Sequence, residues 1–294
     1  IGEGRHDDLT TARKGQGLDR EHECPQAVAG GDAVLDAVVV REEEVERDRA
    51  IDFLAFSQDN FSSIKNCLGT ARHNARAVRT ALTSEMWEAI NEAWLELKRY
   101  DGTRMDRQTL NAFLSRVKEA CLRFDGSAYR TMLRHDAYWF LRLGFYLERA
   151  DNTARILDVK YYVLLPSVMF VGSSLDNVQW ETILRSVSAQ RAYRWLNADD
   201  VNPRGIAEFL ILDRRLPRSL AFCYTKLVDN LDYLADDYGE RHPCHDTAQG
   251  VLDRLRTNSV DMIFDKGLHE FLEEFIRDNN RLGLQIEQDY RFYG

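Results

Sequence analysis

From about Glu44 onward, apolar residues recur every three or four positions, which is the spacing of a helix that buries one side. In "EVERDRAIDFLAFS", for example, Val45, Ile51, Leu54 and Ala55 fall on one side of a helical wheel. No run of useful length alternates between apolar and polar residues, as the strands of a half-buried sheet do. The pattern therefore predicts an all-α protein, a multi-helix bundle.

Capping residues, glycines and prolines divide this pattern into separate helices. Ser62 is the predicted N-cap of "IKNCLGTARHNARAVRTAL", and "SEMWEAINEAWLELKRY" is expected to bury Trp94 and Leu95 among other residues. "MDRQTLNAFLSRVKEACLRFDG" predicts a helix that ends near Gly126. The stretch from "YRTMLRHD" to "YYVLLPS" predicts one long helix, or two in series, that stops at Pro166.

The N-terminal segment does not follow the helical pattern. Residues 1–31 are rich in Gly, Asp and Arg and show no apolar stripe, so we expect them to be disordered or poorly packed. The chain begins with Ile rather than Met, which indicates a fragment; a frame error upstream that replaced the native start is the alternative. We therefore divide the chain into an atypical segment, 1–43, and a helical domain, 44–294.

Two parts of the helical domain resemble each other at an offset of 156 residues. The segments are "RAIDFLAFSQDNFSSIKNCL" and "RGIAEFLILDRRLPRSLAFCY", and in each a short apolar helix leads through a polar kink into a longer helix. The offset pairs Phe53 with Phe209, Leu54 with Leu210, Ser63 with Ser219, Cys67 with Cys223 and Asn74 with Asn230. We predict an internal duplication with halves at about 44–125 and 126–294; a chance likeness between amphipathic helices is the alternative.

Composition narrows the functional classes. The chain carries 48 acidic and 39 basic residues, a formal charge of −9, which argues against nucleic-acid binding because phosphate contacts need clustered Lys and Arg. No apolar run approaches the roughly 18 residues of a membrane span, and the polar N-terminus does not resemble a signal peptide. The five cysteines are scattered and lack CxxC spacing, which favours free thiols in a reducing cytoplasm.

The stretch "FYLERADNTARILDVKYYVLLPS" concentrates charged and amide side chains on one predicted helix. Glu148, Asn152 and Arg155 lie along one flank of its apolar seam, where Asp151 and Asp158 could pair with Arg155. Arg149 lies on the other flank, with Arg142, Tyr146 and Thr153 near it. The flanks are either solvated faces with weak ion pairs or a polar site inside the bundle.

Three features favour the polar site: apolar sequence on both sides of the cluster, the missing side chain at Gly144, and a wheel with little room for a broad solvent face. Because Glu148 and Arg149 point about 100° apart on a helix, each is expected to reach a different neighbouring helix. Arg149 is expected to meet a carboxylate or helix-end carbonyls. For Glu148 we favour the basic residues of "ARHNARAVR", namely Arg72, Arg76 and Arg79. These arginines could instead form a solvated face or dock an acidic partner.

Other chemical motifs are weak, and the sequence indicates no cofactor. "HPCH", with His242, Cys244 and His245, supplies a poor tetrahedral metal set without a fourth ligand, so we interpret it as a loop. His135 and His269 each stand beside an acidic residue, but neither belongs to the paired Glu-x-x-His spacing of a di-iron bundle. Nucleophile-elbow, Walker and dinucleotide-binding glycine patterns are absent from the sequence.

The stretch "RLGFYLERADNTARILDVKYYVLLPS" resembles the signature of the alpha-E family, predicted all-helical bacterial proteins named for a Glu-Arg motif. The resemblance extends through "NFSSIKNCLGTARHNARAVRTALTSEMWEAIN", "VQWETILRS", "IAEFLILDRRLPRSL" and "GLHEFLEEF", from roughly Glu44 to the C-terminus. Members of that family usually carry an early Glu-Arg helix as well, and this chain shows no such copy. The resemblance implies association with ATP-grasp ligase-like and transglutaminase-like proteins, hence with peptide formation or modification.

Three functional hypotheses follow. The first is a cytoplasmic helical partner of an ATP-dependent peptide ligase, in which Glu148 and Arg149 organise a polar core. The second is an enzyme in which Glu148 acts as general acid or base and Arg149 or Arg155 holds a substrate carboxylate or phosphate. No nucleophile is evident for the second. The third is a purely structural bundle.

Overall fold

The computed structural model describes residues 44–103, 105–162, 174–197 and 202–291. These residues form twelve α-helices and one short 3-10 turn, with no strand among them, which confirms the all-α prediction. The helices are α1 Glu44–Ala55, α2 Ile64–Ala77, α3 Ser84–Lys98, α4 Arg107–Thr131, α5 Asp136–Tyr162, α6 Ser174–Ser186, α7 Gln190–Asn197, α8 Pro203–Ile211, α9 Leu220–Tyr238, α10 Pro243–Thr257, α11 Val260–Lys266 and α12 Leu268–Asp289. The predictions for 1–43 and for the stop at Pro166 lie outside the described residues.

The ends of three predicted helices are corrected. Ser63, not Ser62, is the N-cap of α2, and its side chain accepts a hydrogen bond from the Asn66 N–H. α4 continues past Gly126 to Thr131, because a glycine with helical φ weakens a helix by only about 1 kcal/mol and does not end it. The backbone breaks at 132–135, and α5 then runs to Tyr162, so the stretch predicted as one helix or two belongs to the end of α4 and to α5.

The main core is built around α5, which packs against α9 and α12. The sequence predicts an apolar seam along this helix at Leu143, Leu147, Ala150, Ala154, Leu157 and Tyr161. Ala150, Ala154 and Leu157 are 0% exposed, Leu143 is 2% exposed and Leu147 is partly buried. Small side chains at the centre of the seam let the neighbouring helix axes approach closely, so that dispersion contacts extend along the whole helix. The central position predicted for this helix is therefore confirmed.

The N-terminal helices form two smaller cores. Ala55, Leu97, Met105 and Phe113 bring α1, α3 and α4 together. A second cluster contains Met86, Ala128, Met132 and Tyr138, and it joins α3 and α4 to the first turn of α5. Trp94 is partly buried, as expected, but Leu95 is 60% exposed, because it lies on the side of α3 that faces away from both clusters.

The helix pairs α1–α2 and α8–α9 share the geometry of their connecting turns. In each pair the N-cap serine of the second helix donates to a carbonyl six residues earlier, and the cysteine four residues later also approaches a carbonyl six residues before it. The bonds are Ser63 Oγ to the Ser57 carbonyl, Ser219 Oγ to the Asp213 carbonyl, Cys67 Sγ to the Phe61 carbonyl and Cys223 Sγ to the Pro217 carbonyl. The aligned segments therefore have the same local structure; their origin by duplication stays a prediction.

Among the described residues, no helix combines the length and the apolar character needed to cross a lipid bilayer.

Candidate functional site

Arg149 of α5 is directed at the turn that precedes α9. Its guanidinium carbon lies 4.0 Å from the ring centroid of Phe145, one turn earlier, and its Nη1 donates to the Pro217 carbonyl at 3.3 Å. Burial lowers the pKa of the guanidinium, and the nearby Arg218 adds to this, yet the group stays protonated because arginine titrates far above neutral pH. Arg149 therefore uses its charge to hold the turn.

Thr153 reinforces the same contact one helical turn further along. Its hydroxyl donates to the Arg218 carbonyl at 2.8 Å, and the residue is only 1% exposed. Ser219, the next residue in the turn, is the N-cap of α9. Arg149 and Thr153 thus satisfy two consecutive carbonyl groups just before α9 begins, and they fix α5 to that turn. Arg149 was expected to meet a carboxylate or helix-end carbonyls; it meets a backbone carbonyl of another element, but this carbonyl lies in the turn before a helix and not at a helix end.

Glu148 lies on the other flank of α5 and is exposed to solvent. Its Oε1 accepts a hydrogen bond from the Asn152 amide of the same helix at 2.8 Å. Partial burial raises the pKa of the carboxyl above its usual range, and the Asp151 carboxylate adds to the rise, while the Asn152 hydrogen bond and Arg155 oppose it. Because the residue is exposed, water still screens the charge, and Glu148 is a surface carboxylate whose pKa is raised.

The contacts predicted between Glu148 and the arginines of α2 are wrong. α2 packs against α3, and this contact determines where its arginines point. Arg72 Nε donates to the Asn91 side chain at 2.8 Å, and Arg79 donates to the Leu82 carbonyl at 3.2 Å. Arg76 is exposed and has no hydrogen bond or ion pair within the described part of the chain. The residue of α2 on which Glu148 acts is Cys67, whose thiol pKa is raised first by burial and then by the Glu148 carboxylate.

The remaining polar side chains of the cluster form two separate contacts, one of them an ion pair. Arg155 Nε binds Asp151 Oδ2 at 2.7 Å, with the two side chains 22% and 15% exposed. Asp158 does not join this pair; its carboxylate lies 2.6 Å from His269 Nδ1 on α12. The other oxygen of Asp151 is buried and has no hydrogen-bond partner within the described residues. The flank therefore contains one pair internal to α5 and one pair that links α5 to α12.

Sequence reasoning missed a buried polar network on the far side of this helix. Asn279 of α12 is 4% exposed; its amide donates to the Leu147 carbonyl at 3.2 Å, and its oxygen accepts from the Tyr224 hydroxyl at 3.1 Å. Asp278 is 5% exposed and pairs with Arg254 and Arg281. Burial raises the pKa of the Tyr224 hydroxyl, so it remains a donor. The signal in the sequence was the pair Asp278 and Asn279, two polar residues on the otherwise apolar side of α12.

The "HPCH" motif forms a helix cap. His245 is 2% exposed, and its Nδ1 accepts from the His242 backbone N–H at 3.0 Å while its Nε2 lies 2.9 Å from the Leu231 carbonyl. This fixes the Nε2–H tautomer and leaves neither nitrogen for a metal. Within the parts of the chain that are described, no group of three or more His, Cys, Asp or Glu side chains is arranged to hold a metal ion.

A cavity of about 180 Å³ lies between α10, α11 and α12, away from the Glu-Arg helix. Val251, Leu255 and Phe271 form part of its wall, and none of the flank residues of α5 lines it. This cavity therefore does not include the candidate residues.

Comparison with known proteins gives one match. A family model described as a predicted alpha-helical domain with a conserved ER motif matches residues 14–291, nearly the whole chain. Neither the curated proteins nor the solved structures contain a significant match. The family match begins within the segment that we assigned to 1–43.

Proposed function

This chain belongs to the Alpha-E family, a predicted alpha-helical domain with an ER motif, and we propose that it acts as a binding partner rather than as an enzyme. Its partner in this proposal is an ATP-grasp ligase-like or transglutaminase-like protein of a cytoplasmic system that forms or modifies peptides. The choice of partner depends on the association implied by the family resemblance. The binding role is argued from the geometry of the motif.

The observation that carries the proposal is the difference between the surroundings of the two residues of the Glu-Arg dipeptide. Arg149 is engaged with the turn before α9 and is not free to hold a substrate. Glu148, on the neighbouring flank, is exposed and bonds only to Asn152 among the described residues. A motif with one structural arginine and one surface carboxylate supports recognition of a basic group on another protein.

The thiols support the same interpretation. A nucleophilic cysteine needs a lowered pKa, supplied by a nearby cation or helix N-terminus. Here burial raises the pKa of Cys223 to about 12, and burial followed by the Glu148 carboxylate raises the pKa of Cys67. Glu148 acts on the Cys67 thiol in the direction opposite to activation.

The experiment is a binding titration with the ATP-grasp and transglutaminase-like proteins of the source organism, each purified and measured by calorimetry. Glu148→Gln keeps the shape and the Asn152 contact but removes the charge, so it should weaken binding about tenfold without lowering the melting temperature. Glu119→Gln is the control, because Glu119 is an exposed carboxylate on α4. Failure of both proteins to bind, or an equal effect of the two substitutions, would contradict the proposal.

One observation favours the alternative, an enzyme that acts on a substrate bearing a carboxylate or phosphate. The raised pKa of Glu148 suits a general acid, and Arg155 lies on the same flank. Arg155 is already paired with Asp151, which counts against its use as an anion clamp. Turnover by the purified chain alone, lost in Glu148→Gln, would support this alternative over the first proposal.

A further inference from the structure

The packing of α5 against α9 shows how one helix of this protein binds another. Cys223, Leu227 and Leu234 of α9 are 0% exposed, and Asn230 is 5% exposed. They form one stripe, at intervals of four, three and four residues, on a helix whose most extensive packing is against α5. Arg149 of α5 lies close enough to the Cys223 thiol to act on its pKa. Cys223 and Arg149 donate to the same carbonyl, that of Pro217, so the start of the stripe lies at the α5–α9 contact.

α2 carries a stripe at the matching positions, but there its residues are exposed to solvent. Its residues Cys67, Ala71 and Asn74, and the C-cap residue Val78, stand 156 positions before those of α9, and we call them the α2 face. All four are exposed, Val78 to 51%. Among residues 44–103, 105–162, 174–197 and 202–291, no helix covers this face.

The turn before α2 repeats the acceptor that Arg149 uses. In the turn before α9, the Pro217 carbonyl receives both the Cys223 thiol and the Arg149 guanidinium. The matching carbonyl is that of Phe61, which receives the Cys67 thiol at 3.9 Å and no arginine from the described part of the chain. The side chain of Phe61 is itself 61% exposed at the edge of the face.

Charge at this position favours a cationic occupant. The Glu148 carboxylate acts on the Cys67 thiol at the start of the α2 face and raises its pKa, second to burial, and among the described residues only Asn152 bonds to this carboxylate. An arginine that approached the Phe61 carbonyl would therefore also lie near an anion, which the α9 turn does not offer to Arg149. A guanidinium can donate to both groups because it has five N–H donors.

We infer that the α2 face is a docking site for an amphipathic helix of the α5 type: an arginine that donates to the Phe61 carbonyl, and a seam of small residues that packs on Cys67, Ala71 and Asn74. The partner is identified by this chemistry, an arginine on a helix with an alanine seam, as Arg149 stands beside Ala150 and Ala154 in α5. Helix-in-groove recognition of this kind reads anchors at intervals of three and four residues. The inference is independent of the proposed ATP-grasp or transglutaminase-like partner, because it specifies the docking element alone.

The probe for the test is a synthetic peptide with the sequence of residues 139–162, "WFLRLGFYLERADNTARILDVKYY". Titrated into the full chain and followed by fluorescence anisotropy, it should bind at a single site. The peptide with Arg149→Ala should bind about tenfold more weakly, the loss expected for one charge-assisted hydrogen bond. In the protein, Val78→Asp should abolish binding, whereas Leu122→Asp, at a 64% exposed position on α4, should leave it unchanged.

Alkylation of cysteines locates the site independently of affinity. Cys67 and Cys121 are both exposed free thiols, and only Cys67 belongs to the α2 face. Bound peptide should slow the iodoacetamide labelling of Cys67 about tenfold, in proportion to its occupancy, and leave Cys121 unaffected. Three outcomes would each overturn the inference. The peptide does not bind; it still binds after Val78→Asp, because it replaces α5 on α9; or it protects both thiols equally.

Discussion

Removal of the two side chains of the Glu-Arg dipeptide, one at a time, should have unequal effects on stability. Arg149→Ala removes a hydrogen bond to the Pro217 carbonyl at 3.3 Å and a guanidinium stacked 4.0 Å from the Phe145 ring centroid. The long, partly exposed hydrogen bond contributes about 1 kcal/mol, and the stacking contributes about 0.5–1 kcal/mol. Arg149→Ala should therefore lower the free energy of unfolding by about 2 kcal/mol.

Glu148→Ala should cost under about 1 kcal/mol, because an exposed carboxylate with a single side-chain hydrogen bond leaves no buried charge behind when it is removed. Urea denaturation of both variants, followed by circular dichroism at 222 nm, measures the difference. Arg149→Lys is the control for charge: it keeps the cation but loses the planar stack, and should fall between the wild type and Arg149→Ala. A cost above about 2 kcal/mol for Glu148→Ala, or below about 0.5 kcal/mol for Arg149→Ala, would refute this account of the motif.

Three further changes test the surroundings of the motif. Thr153→Val keeps the side-chain volume but removes the donor to the Arg218 carbonyl, so it should lower the free energy of unfolding by about 1–3 kcal/mol. The control, Thr182→Val on the exposed side of α6, should cost under about 0.5 kcal/mol, as urea titration of both variants would show. Asn279→Ala should cost about 2–4 kcal/mol because it leaves the Tyr224 hydroxyl without its acceptor and removes the hydrogen bond that links α12 to the Leu147 carbonyl of α5. Tyr224→Phe should cost less, and equal costs in chemical denaturation would contradict this. Since the folded-state pKa of Glu148 is raised, its ionisation disfavours folding, and stability falls as pH rises through that pKa. Glu148→Gln should therefore be more stable than the wild type at pH 7 and lose this advantage below the ordinary pKa of glutamate. Thermal melts at the two pH values measure the difference.

The sequence predicted the seam of the central helix because a seam depends only on periodicity. Leu143, Leu147, Ala150, Ala154 and Leu157 recur at intervals of three and four, and all are buried except Leu147, which is partly buried. The predicted similarity around Ser63 and Ser219 also has a local cause, since an N-cap and its turn are determined by a few consecutive residues.

Contacts between helices could not be predicted in the same way. Asp158 was expected to pair along its own helix with Arg155, but it pairs with His269, 111 residues away. The Leu147 carbonyl accepts a hydrogen bond from the side-chain amide of Asn279, 132 residues away. Such pairs depend on how two helices are rotated about their axes, which the apolar stripe defines only to within a broad arc. The arginines of α2 were misplaced for the same reason: the stripe predicted a buried side but not that α3 would cover it.

The adjacency of Glu148 and Arg149 has a geometric consequence for any partner. Neighbouring residues on a helix point about 100° apart, so an arginine fixed toward the turn before α9 determines the direction of the glutamate beside it. Arg149 and Thr153 hold α5 against rotation about its own axis, through the carbonyls of Pro217 and Arg218. Glu148 is then placed on the other flank of α5, where it accepts from Asn152 and raises the pKa of the Cys67 thiol. An Arg-Glu order at the same two positions would reverse these directions, which explains in physical terms why the motif is a dipeptide with a fixed order rather than a pair of charges.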